Sequence, residues 1–205
     1  MAPLSPLYAI VDPLDTAADP VALADAMLAG GARLLQLRLK DATSRELLRV
    51  AEIIRERTHI VGAAFVVNDR PDVARAVDAD GVHLGQDDLP VAAARRIVGP
   101  ALLIGVSTHD LTQLRAAAAE GADYVAVGPV YATQSKTGAL APRGLDLIRA
   151  ARAATSLPIV AIGGITAETA PAVRAAGADS VAMIAALVRT PDVAAAVRRT
   201  LDRLC

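Results

Sequence analysis

Aromatic residues are scarce in this chain of 205 residues, since they make up 2% of it and tryptophan is absent. Residues of the set AVILMFWYC still account for 54%, so a core must be built from Ala, Val, Leu and Ile. Such a core suits buried parallel strands and close helix packing. The length favours a single domain over residues 1–205, because β/α barrels commonly use a comparable number of residues for one core.

Cysteine is limited to Cys205, the last residue. One cysteine cannot form an internal disulfide, which indicates a reducing compartment. The amino-terminal residues lack the basic region and apolar stretch of a secretory signal. The longest clean apolar run near the end, Val181–Val188, is too short to cross a bilayer. We therefore expect a cytoplasmic protein with no membrane partner.

An excess of either charge is also missing, since 21 Lys and Arg residues balance 22 Asp and Glu residues. Without a basic excess, nucleic acids and anionic membranes are not expected partners. Any anion site must then be built locally, and we expect small-molecule substrates. The sequence does not determine the oligomeric state, and a homo-oligomer is compatible with it.

Eight short β-type runs alternate with Ala-rich segments along the chain. The predicted strands are Leu7–Val11, Leu34–Arg38, Ala64–Val67, Gly81–Leu84, Leu103–Val106, Tyr124–Val127, Ile159–Ile162 and Ser180–Ile184. The predicted helices are Pro20–Ala29, Ser44–Arg57, Leu89–Val98, Leu111–Glu120, Gly144–Thr155, Ala167–Ala176 and Pro191–Leu204. Apolar residues recur in these helices at three- and four-residue spacing, as amphipathic helices require. Thr43 or Ser44, Asp110 and Thr166 stand where N-caps are expected.

A short glycine-containing phrase precedes every second strand. The four phrases are Gly30-Gly31-Ala32, Asp80-Gly81, Gly121-Ala122-Asp123 and Gly177-Ala178-Asp179. In each, Gly can end a helix in a left-handed conformation before the chain turns into the next strand. The recurrence indicates a βαβα unit used four times. Eight β/α units with right-handed crossovers close into a (β/α)₈ TIM barrel, and an open doubly wound sheet is the alternative.

In a β/α barrel the chemistry gathers at the carboxyl ends of the strands. The second strand ends in Gln36, Arg38 and Lys40, which the period of two points to one side. Two cations and an amide facing one way form a plausible diphosphate clamp. The competing interpretation is an exposed charged loop.

Carboxylates follow the next two strands, with Asp69 after the third and Asp88 after the fourth. Either residue alone could simply cap a helix. Together, hard oxygen ligands from two neighbouring loops suit Mg²⁺, which prefers carboxylates completed by water and substrate phosphate. Zinc is not expected, because the three histidines have no neighbouring Cys and no HExxH spacing; they are His59, His83 and His109. We interpret His59 as a surface residue, and for the other two a structural role is at least as plausible as a catalytic one.

Polar groups also follow the later strands. Ser107 follows the fifth, and no GxSxG surrounds it, which argues against a nucleophile elbow. The segment after the sixth strand is the longest loop and carries Thr133, Ser135 and Lys136, as a binding loop or lid would. The glycines before Ile165 would let a phosphate approach backbone amides after strands seven and eight. A solvated linker and a plain Gly-Gly turn are the alternatives.

Six of these motifs, in this order and each at a strand end, resemble the thiamine phosphate synthase family over nearly the whole chain. The motifs are Gln36-Leu37-Arg38-Leu39-Lys40, Val67-Asn68-Asp69, His83-Leu84-Gly85-Gln86-Asp87-Asp88, Gly105-Val106-Ser107-Thr108-His109, Gly128-Pro129-Val130-Tyr131 and Ile162-Gly163-Gly164-Ile165. The resemblance implies an enzyme that condenses a pyrimidine diphosphate with a carboxylated thiazole phosphate and releases diphosphate. Leaving-group departure would give a stabilised cation, which the thiazole nitrogen attacks, so no protein nucleophile is needed.

The resemblance also implies roles for individual residues. The residues that would bind the pyrimidine diphosphate are Gln36, Arg38, Lys40, Asn68, Ser107 and Lys136. Four of them would also take part in catalysis, namely Arg38, Lys40, Ser107 and Lys136. Those for Mg²⁺ are Asp69 and Asp88. Those for the thiazole phosphate are Thr133, Ser135, Gly164, Ile184 and Ala185, the last three through backbone amides.

Some residues depart from the family pattern. Leu39 stands where an acidic residue is frequent, and Ala182 and Ala185 stand near the end of strand eight where Ser is frequent. A sister family, the thiazole tautomerases, has a similar strand-six loop, but Pro129 and Asp88 favour the synthase, because an isomerase has no use for a metal–diphosphate site. A non-catalytic barrel that binds a thiamine intermediate is the third hypothesis.

Overall fold

The computed structural model describes residues 4–14, 16–133 and 141–204, and its eight parallel strands form a closed barrel. The strands are β1 Leu7–Val11, β2 Leu34–Leu37, β3 Ala64–Asn68, β4 Gly81–Leu84, β5 Leu103–Thr108, β6 Tyr124–Val127, β7 Ile159–Ile162 and β8 Ser180–Met183. Pairing of β1 with β8 closes the barrel. The predicted (β/α)₈ TIM barrel is therefore confirmed, and the open doubly wound sheet is excluded.

Helices cover the outside of the barrel. Among the described residues they are α1 Pro20–Ala29, α2 Ser44–Ile60, α3 Pro71–Ala76, α4 Val91–Val98, α5 Leu111–Ala119, α6 Gly144–Ala154, α7 Ala170–Ala175, α8 Ala185–Val188 and α9 Val193–Leu204. The short helices α3 and α8 were not among the predicted segments, because one or two turns carry too few residues to show a helical period. Thr43 and Asp110 cap α2 and α5 as expected.

Several predicted boundaries are wrong by one to three residues. The strands β2 and β8 end one residue earlier than predicted, whereas β3 and β5 run further. Helix α4 begins after Pro90, whose extended backbone (ψ 148°) precedes the first turn. Helix α7 begins at Ala170 rather than Ala167, because Thr166 forms a turn in which its amide donates to the Thr169 hydroxyl (3.0 Å).

The pleat of each strand separates two kinds of side chain. In β2 the neighbours Leu35 and Leu37 are fully buried and face the helices, while Gln36 between them faces the barrel interior. In β4 the buried Val82 flanks the inward-facing His83 in the same way. The outer row of the barrel therefore provides the apolar contact with the helices, and the inner row is available for polar groups.

The predicted glycine phrase recurs in the structure, with one correction. Gly31, Gly121 and Gly177 have positive φ angles of 103°, 89° and 114°, as the left-handed turn requires. Before β4, the equivalent residue is Asp78 at φ 50°, and Gly81 is the first residue of the strand. Asp78 can take this position because the short polar side chain of Asp tolerates the left-handed region better than most.

A carboxylate two residues after three of these turns anchors the amino end of the barrel. Each carboxylate accepts a hydrogen bond from a backbone amide of the preceding strand and forms an ion pair with an arginine of a helix. The residues are Asp80, Asp123 and Asp179, with hydrogen bonds of 2.8, 2.7 and 2.8 Å. Those arginines are Arg55, Arg95 and Arg152. Before β2 the same position holds Arg33, whose guanidinium donates to the Ala32 carbonyl. The βαβα unit is thus repeated in its contacts as well as in its sequence.

Replacing Asp123 with Ala should lower the free energy of unfolding by about 2 kcal/mol, because the Ile104 amide loses its acceptor and the Arg95 guanidinium loses its carboxylate partner. The measurement is urea denaturation followed by circular dichroism. Asp146→Ala is the matched control, since Asp146 is 92% exposed in its pair with Arg149 and should contribute less than about 0.5 kcal/mol. Equal destabilisation by the two variants would contradict the anchoring role.

Candidate active site

A cavity opens at the carboxyl ends of the strands, inside the barrel. It encloses about 340 Å³ between atoms, part of it continuous with solvent. Its wall includes five residues that were predicted to contact substrate, namely Gln36, Arg38, Asn68, Ser107 and Ile184. They come from β2, β3 and β5 and from the ends of β2 and β8. The barrel thus brings together residues that lie up to about 150 positions apart in the chain, as this fold generally does.

Arg38 is held by a carboxylate that the sequence interpretation missed. Its guanidinium forms an ion pair with Asp12, the residue that follows β1, and the side chains are 13% and 9% exposed. The other Asp12 oxygen accepts the Leu14 amide (2.9 Å). Asp12 therefore fixes the direction of Arg38. The rule that selected Asp69, a carboxylate directly after a strand, would have found Asp12 as well.

The two predicted metal ligands lie side by side with a lysine. Lys40 pairs with Asp69, and Asp69 shares a hydrogen bond with Asp88. Burial alone would raise the pKa of Asp69, but the hydrogen bonds from Asp88 and Lys40 and the ammonium charge hold it below its ordinary value. Burial and then Asp69 raise the pKa of Asp88, against the hydrogen bond from the Gly85 amide. Of the two carboxyl groups, Asp88 is therefore the one that takes up a proton first as the pH falls.

The carboxylates of Asp69 and Asp88 provide two oxygen ligands for a metal ion in one place. Among residues 4–14, 16–133 and 141–204, no group of three or more His, Cys, Asp or Glu side chains gathers as a metal cage would. Two carboxylates with the remaining positions left to water and substrate oxygens are the donor set that Mg²⁺ uses at phosphate sites. The residues present fit that ion.

A chain of hydrogen bonds crosses the barrel beneath the cavity. The Gln36 amide nitrogen donates to the Tyr8 hydroxyl (2.9 Å), which lies 3.0 Å from the Tyr124 hydroxyl. The Tyr124 hydroxyl lies 3.1 Å from Nδ1 of His83, and Nε2 of His83 lies 2.9 Å from the Ser107 hydroxyl. The chain connects Gln36 to Ser107, which were both predicted to contact the pyrimidine substrate.

Burial keeps both tyrosines of this chain neutral. It raises the pKa of Tyr8 and of Tyr124 well above their ordinary value, because an ionised phenol would lie in the interior without solvent. Gly105 makes room for the Tyr124 ring, since a Cβ at that position would lie 1.9 Å from Cζ of the tyrosine. The glycine of the fourth motif thus makes room for the hydrogen-bond chain rather than forming a turn.

The strand-six loop is fastened at its base to the end of β7. The Val130 and Tyr131 amides donate to the Ile162 and Gly163 carbonyls (both 2.9 Å). Gly164, at φ 62°, must be glycine here because a Cβ would lie 2.3 Å from the Ala132 carbonyl oxygen. The glycine pair therefore admits the loop backbone, a role additional to the predicted approach of a phosphate.

The thiazole half of the predicted site is described only in part. Thr133 is the last described residue before the gap at 134–140, and Ser135 and Lys136 lie outside the described residues. Ile184 occupies the N-cap position of α8, and Ala185 is the first residue of that helix. Ala182 lines the cavity, so the wall of β8 presents a methyl group where the family frequently has a hydroxyl.

Within residues 4–14, 16–133 and 141–204, no helix is long and apolar enough to cross a bilayer.

Comparisons with known proteins agree with the geometry. Residues 7–187 match a family model described as thiamine monophosphate synthase. A thiamine-phosphate synthase of Moorella thermoacetica is 51% identical over 172 residues, which cover 84% of this chain and 82% of that protein. That of Methanoculleus marisnigri is 55% identical over 182 residues, with 89% and 86% covered. The solved thiamine phosphate pyrophosphorylase from Pyrococcus furiosus superposes with a TM-score of 0.87 at 37% identity, covering 97% of this chain and 94% of that one.

Proposed function

Because the chain belongs to the thiamine monophosphate synthase family and is a transferase of thiamine biosynthesis, we propose that it condenses 4-amino-2-methyl-5-(diphosphooxymethyl)pyrimidine with a thiazole phosphate. The products are thiamine phosphate and diphosphate, and the acceptor is the carboxylated thiazole, which loses carbon dioxide on joining. Two observations carry the proposal. Arg38 lines the cavity, and Lys40, Asp69 and Asp88 contact one another after β2, β3 and β4, at the same end of the barrel.

Arg38 and Lys40 bind the diphosphate in this proposal. Both side chains already have a carboxylate partner, Asp12 for Arg38 and Asp69 for Lys40, so their directions are set before substrate arrives. A preorganised cation stabilises charge that develops on the leaving oxygen without a cost of reorientation. Asp69 and Asp88 would hold Mg²⁺, which supplies further neutralisation of the diphosphate when bound.

The apolar part of the cavity wall protects the reaction from water. Ala126, Val160 and Ile162 line it opposite the charged residues. A substituted pyrimidine cation in such surroundings reacts with the bound thiazole nitrogen rather than with solvent. The carbon–oxygen bond to diphosphate breaks, its electron pair leaves with the diphosphate, and the new carbon–nitrogen bond forms with the lone pair of the thiazole.

A two-substrate assay with Mg²⁺ tests this proposal directly. Thiamine phosphate and diphosphate should form in equal amounts, and neither substrate alone should turn over. Isomerisation of the carboxylated thiazole phosphate alone, without metal, would instead indicate the tautomerase. Binding of either substrate in a calorimeter without any turnover would indicate the non-catalytic barrel. Each of these two results would overturn the synthase.

Replacing Asp12 with Asn should raise KM for the pyrimidine diphosphate about 10-fold with a smaller effect on the thiazole, because Arg38 loses the carboxylate that orients it. Steady-state kinetics with each substrate varied in turn provide the measurement. Asp19→Asn is the control, because Asp19 caps α1 with its side chain and is not among the residues that line the cavity. An unchanged KM for the diphosphate in Asp12→Asn would show that Arg38 does not need its partner.

A further inference from the structure

The hydrogen-bond chain from Gln36 to Ser107 has a direction that its first member determines. An amide nitrogen can donate a hydrogen bond but cannot accept one. Gln36 therefore uses the Tyr8 hydroxyl as an acceptor (2.9 Å). The single Tyr8 proton is left to donate to the Tyr124 hydroxyl, which lies 3.0 Å away and is likewise buried.

The same reasoning determines which atom donates in the hydrogen bond between Tyr124 and His83. Tyr124 accepts from Tyr8, so its own proton is donated to Nδ1 of His83 at 3.1 Å. An Nδ1 atom that accepts carries no proton, and the proton of the neutral ring must then be on Nε2. Nε2 lies 2.9 Å from the Ser107 hydroxyl oxygen and donates to it.

The opposite direction of the chain is disfavoured by the same contacts. A ring protonated on Nδ1 alone would make Nε2 a base for Ser107, as in a nucleophilic serine pair. In that arrangement the Tyr8 hydroxyl oxygen accepts from both Gln36 and Tyr124, and the buried Tyr8 proton can be donated to neither of them.

We propose that Tyr8, Tyr124 and His83 are positioning residues that hold Ser107 as a hydrogen-bond donor toward the cavity and prevent it from acting as a nucleophile. Ser107 accepts from His83, and among the described residues none takes its hydroxyl proton, which is then available to a ligand. What it donates to rests on the proposed function, and the oxygen of the departing diphosphate is the acceptor whose negative charge grows during the reaction. The direction of the chain does not depend on that function.

The tautomer of His83 can be read without any substrate by nuclear magnetic resonance of protein labelled with ¹⁵N- and ¹³C-histidine. The chain has three histidines, so His59→Gln and His109→Gln assign the remaining signal. Two-bond couplings between ring nitrogens and carbon-bound protons should show a proton on Nε2 of His83. A ring that carries its proton on Nδ1 alone would overturn the proposal.

A reversal experiment tests whether Gln36 sets the direction. In Gln36→Glu at about pH 9, where a buried carboxyl group is ionised, the carboxylate accepts from Tyr8 and the His83 proton should move to Nδ1. Adding Tyr8→Phe cuts the chain between Gln36 and Tyr124, and the proton should return to Nε2. If His83 keeps its Nε2 proton in Gln36→Glu, Gln36 does not govern the chain.

The kinetic test uses Tyr124→Phe, which removes only a hydroxyl. We expect kcat to fall about 10-fold to 100-fold with KM for the thiazole phosphate little changed, because Ser107 loses its fixed orientation. Ile104→Val is the control, since Ile104 is buried on β5 with its side chain on the helix-facing side, and should lower Tm with kcat per folded enzyme intact. A parent-like kcat in Tyr124→Phe would overturn the positioning role. An Nε2-protonated His83 in a protein with no synthase activity would instead refute only the proposed function.

Discussion

The Asp88→Asn variant is expected to lose about 100-fold or more in kcat/KM for the pyrimidine diphosphate. Burial and the neighbouring Asp69 raise the pKa of Asp88, and a bound Mg²⁺ would balance the negative charge of the two carboxylates. Asparagine offers one neutral oxygen, and its NH₂ group donates permanently to Asp69. The pair would then be unable to present two anionic oxygens to a divalent ion. Steady-state kinetics over a range of Mg²⁺ concentrations measure the effect.

Asp87→Asn provides the matched control for this prediction. Asp87 is the adjacent acidic residue and is exposed, whereas Asp88 is half-buried against Asp69. It should behave like the parent protein, whereas Asp88→Asn should regain part of its activity when Mg²⁺ is raised. If Asp88→Asn keeps full activity at low Mg²⁺, the carboxylate pair is not the metal site.

The Gly105→Ala variant should lose about 3 kcal/mol or more of folding free energy. Its Cβ would lie 1.9 Å from Cζ and 2.3 Å from Cε2 of the Tyr124 ring. That ring cannot move away easily, because it is fully buried and its hydroxyl is tied into the hydrogen-bond chain. Chemical denaturation gives the free energy of unfolding, and the soluble yield at two temperatures provides an independent measure.

The variant Gly62→Ala measures how much folding free energy is lost from backbone conformation alone, without a steric clash. Gly62 has φ 65° with nothing within 4 Å of an added Cβ, so its substitution should cost only about 1 kcal/mol, from the left-handed backbone. The cost at Gly105 is instead steric, and the second substitution Tyr124→Leu should restore part of the stability in the Gly105→Ala background. A double variant that is less stable than Gly105→Ala alone would contradict this account.

The fold was predictable because its signals are local. A period of two in the strands and spacings of three and four in the helices are visible within about ten residues, and the left-handed turns at Gly31, Gly121 and Gly177 announce the repeat. The prediction was wrong at the turn before β4, because there Asp78 adopts the left-handed conformation that glycine adopts in the other three turns. It also missed α3, which has only six residues.

The site was predictable as a set of positions, but its internal contacts were not. Gln36, Arg38, Asn68 and Ser107 line one cavity because parallel strands end at the same face. Tyr8 and Tyr124 meet across the barrel although they are 116 residues apart, and no local pattern shows such a contact. The roles of the cavity residues in binding and catalysis stay predictions, which the variants above test.

The Asp anchors at the amino end of the barrel imply uneven protection of its backbone. Phe65, Ile104 and Ile159, near or at the starts of β3, β5 and β7, donate their amides to carboxylates that are themselves held by arginines. At the corresponding position beside β1 stands Arg33, which has no acceptor group to offer an amide. Local opening should therefore begin at the junction of β1 and β2, and deuterium should enter there before it enters the anchored strands.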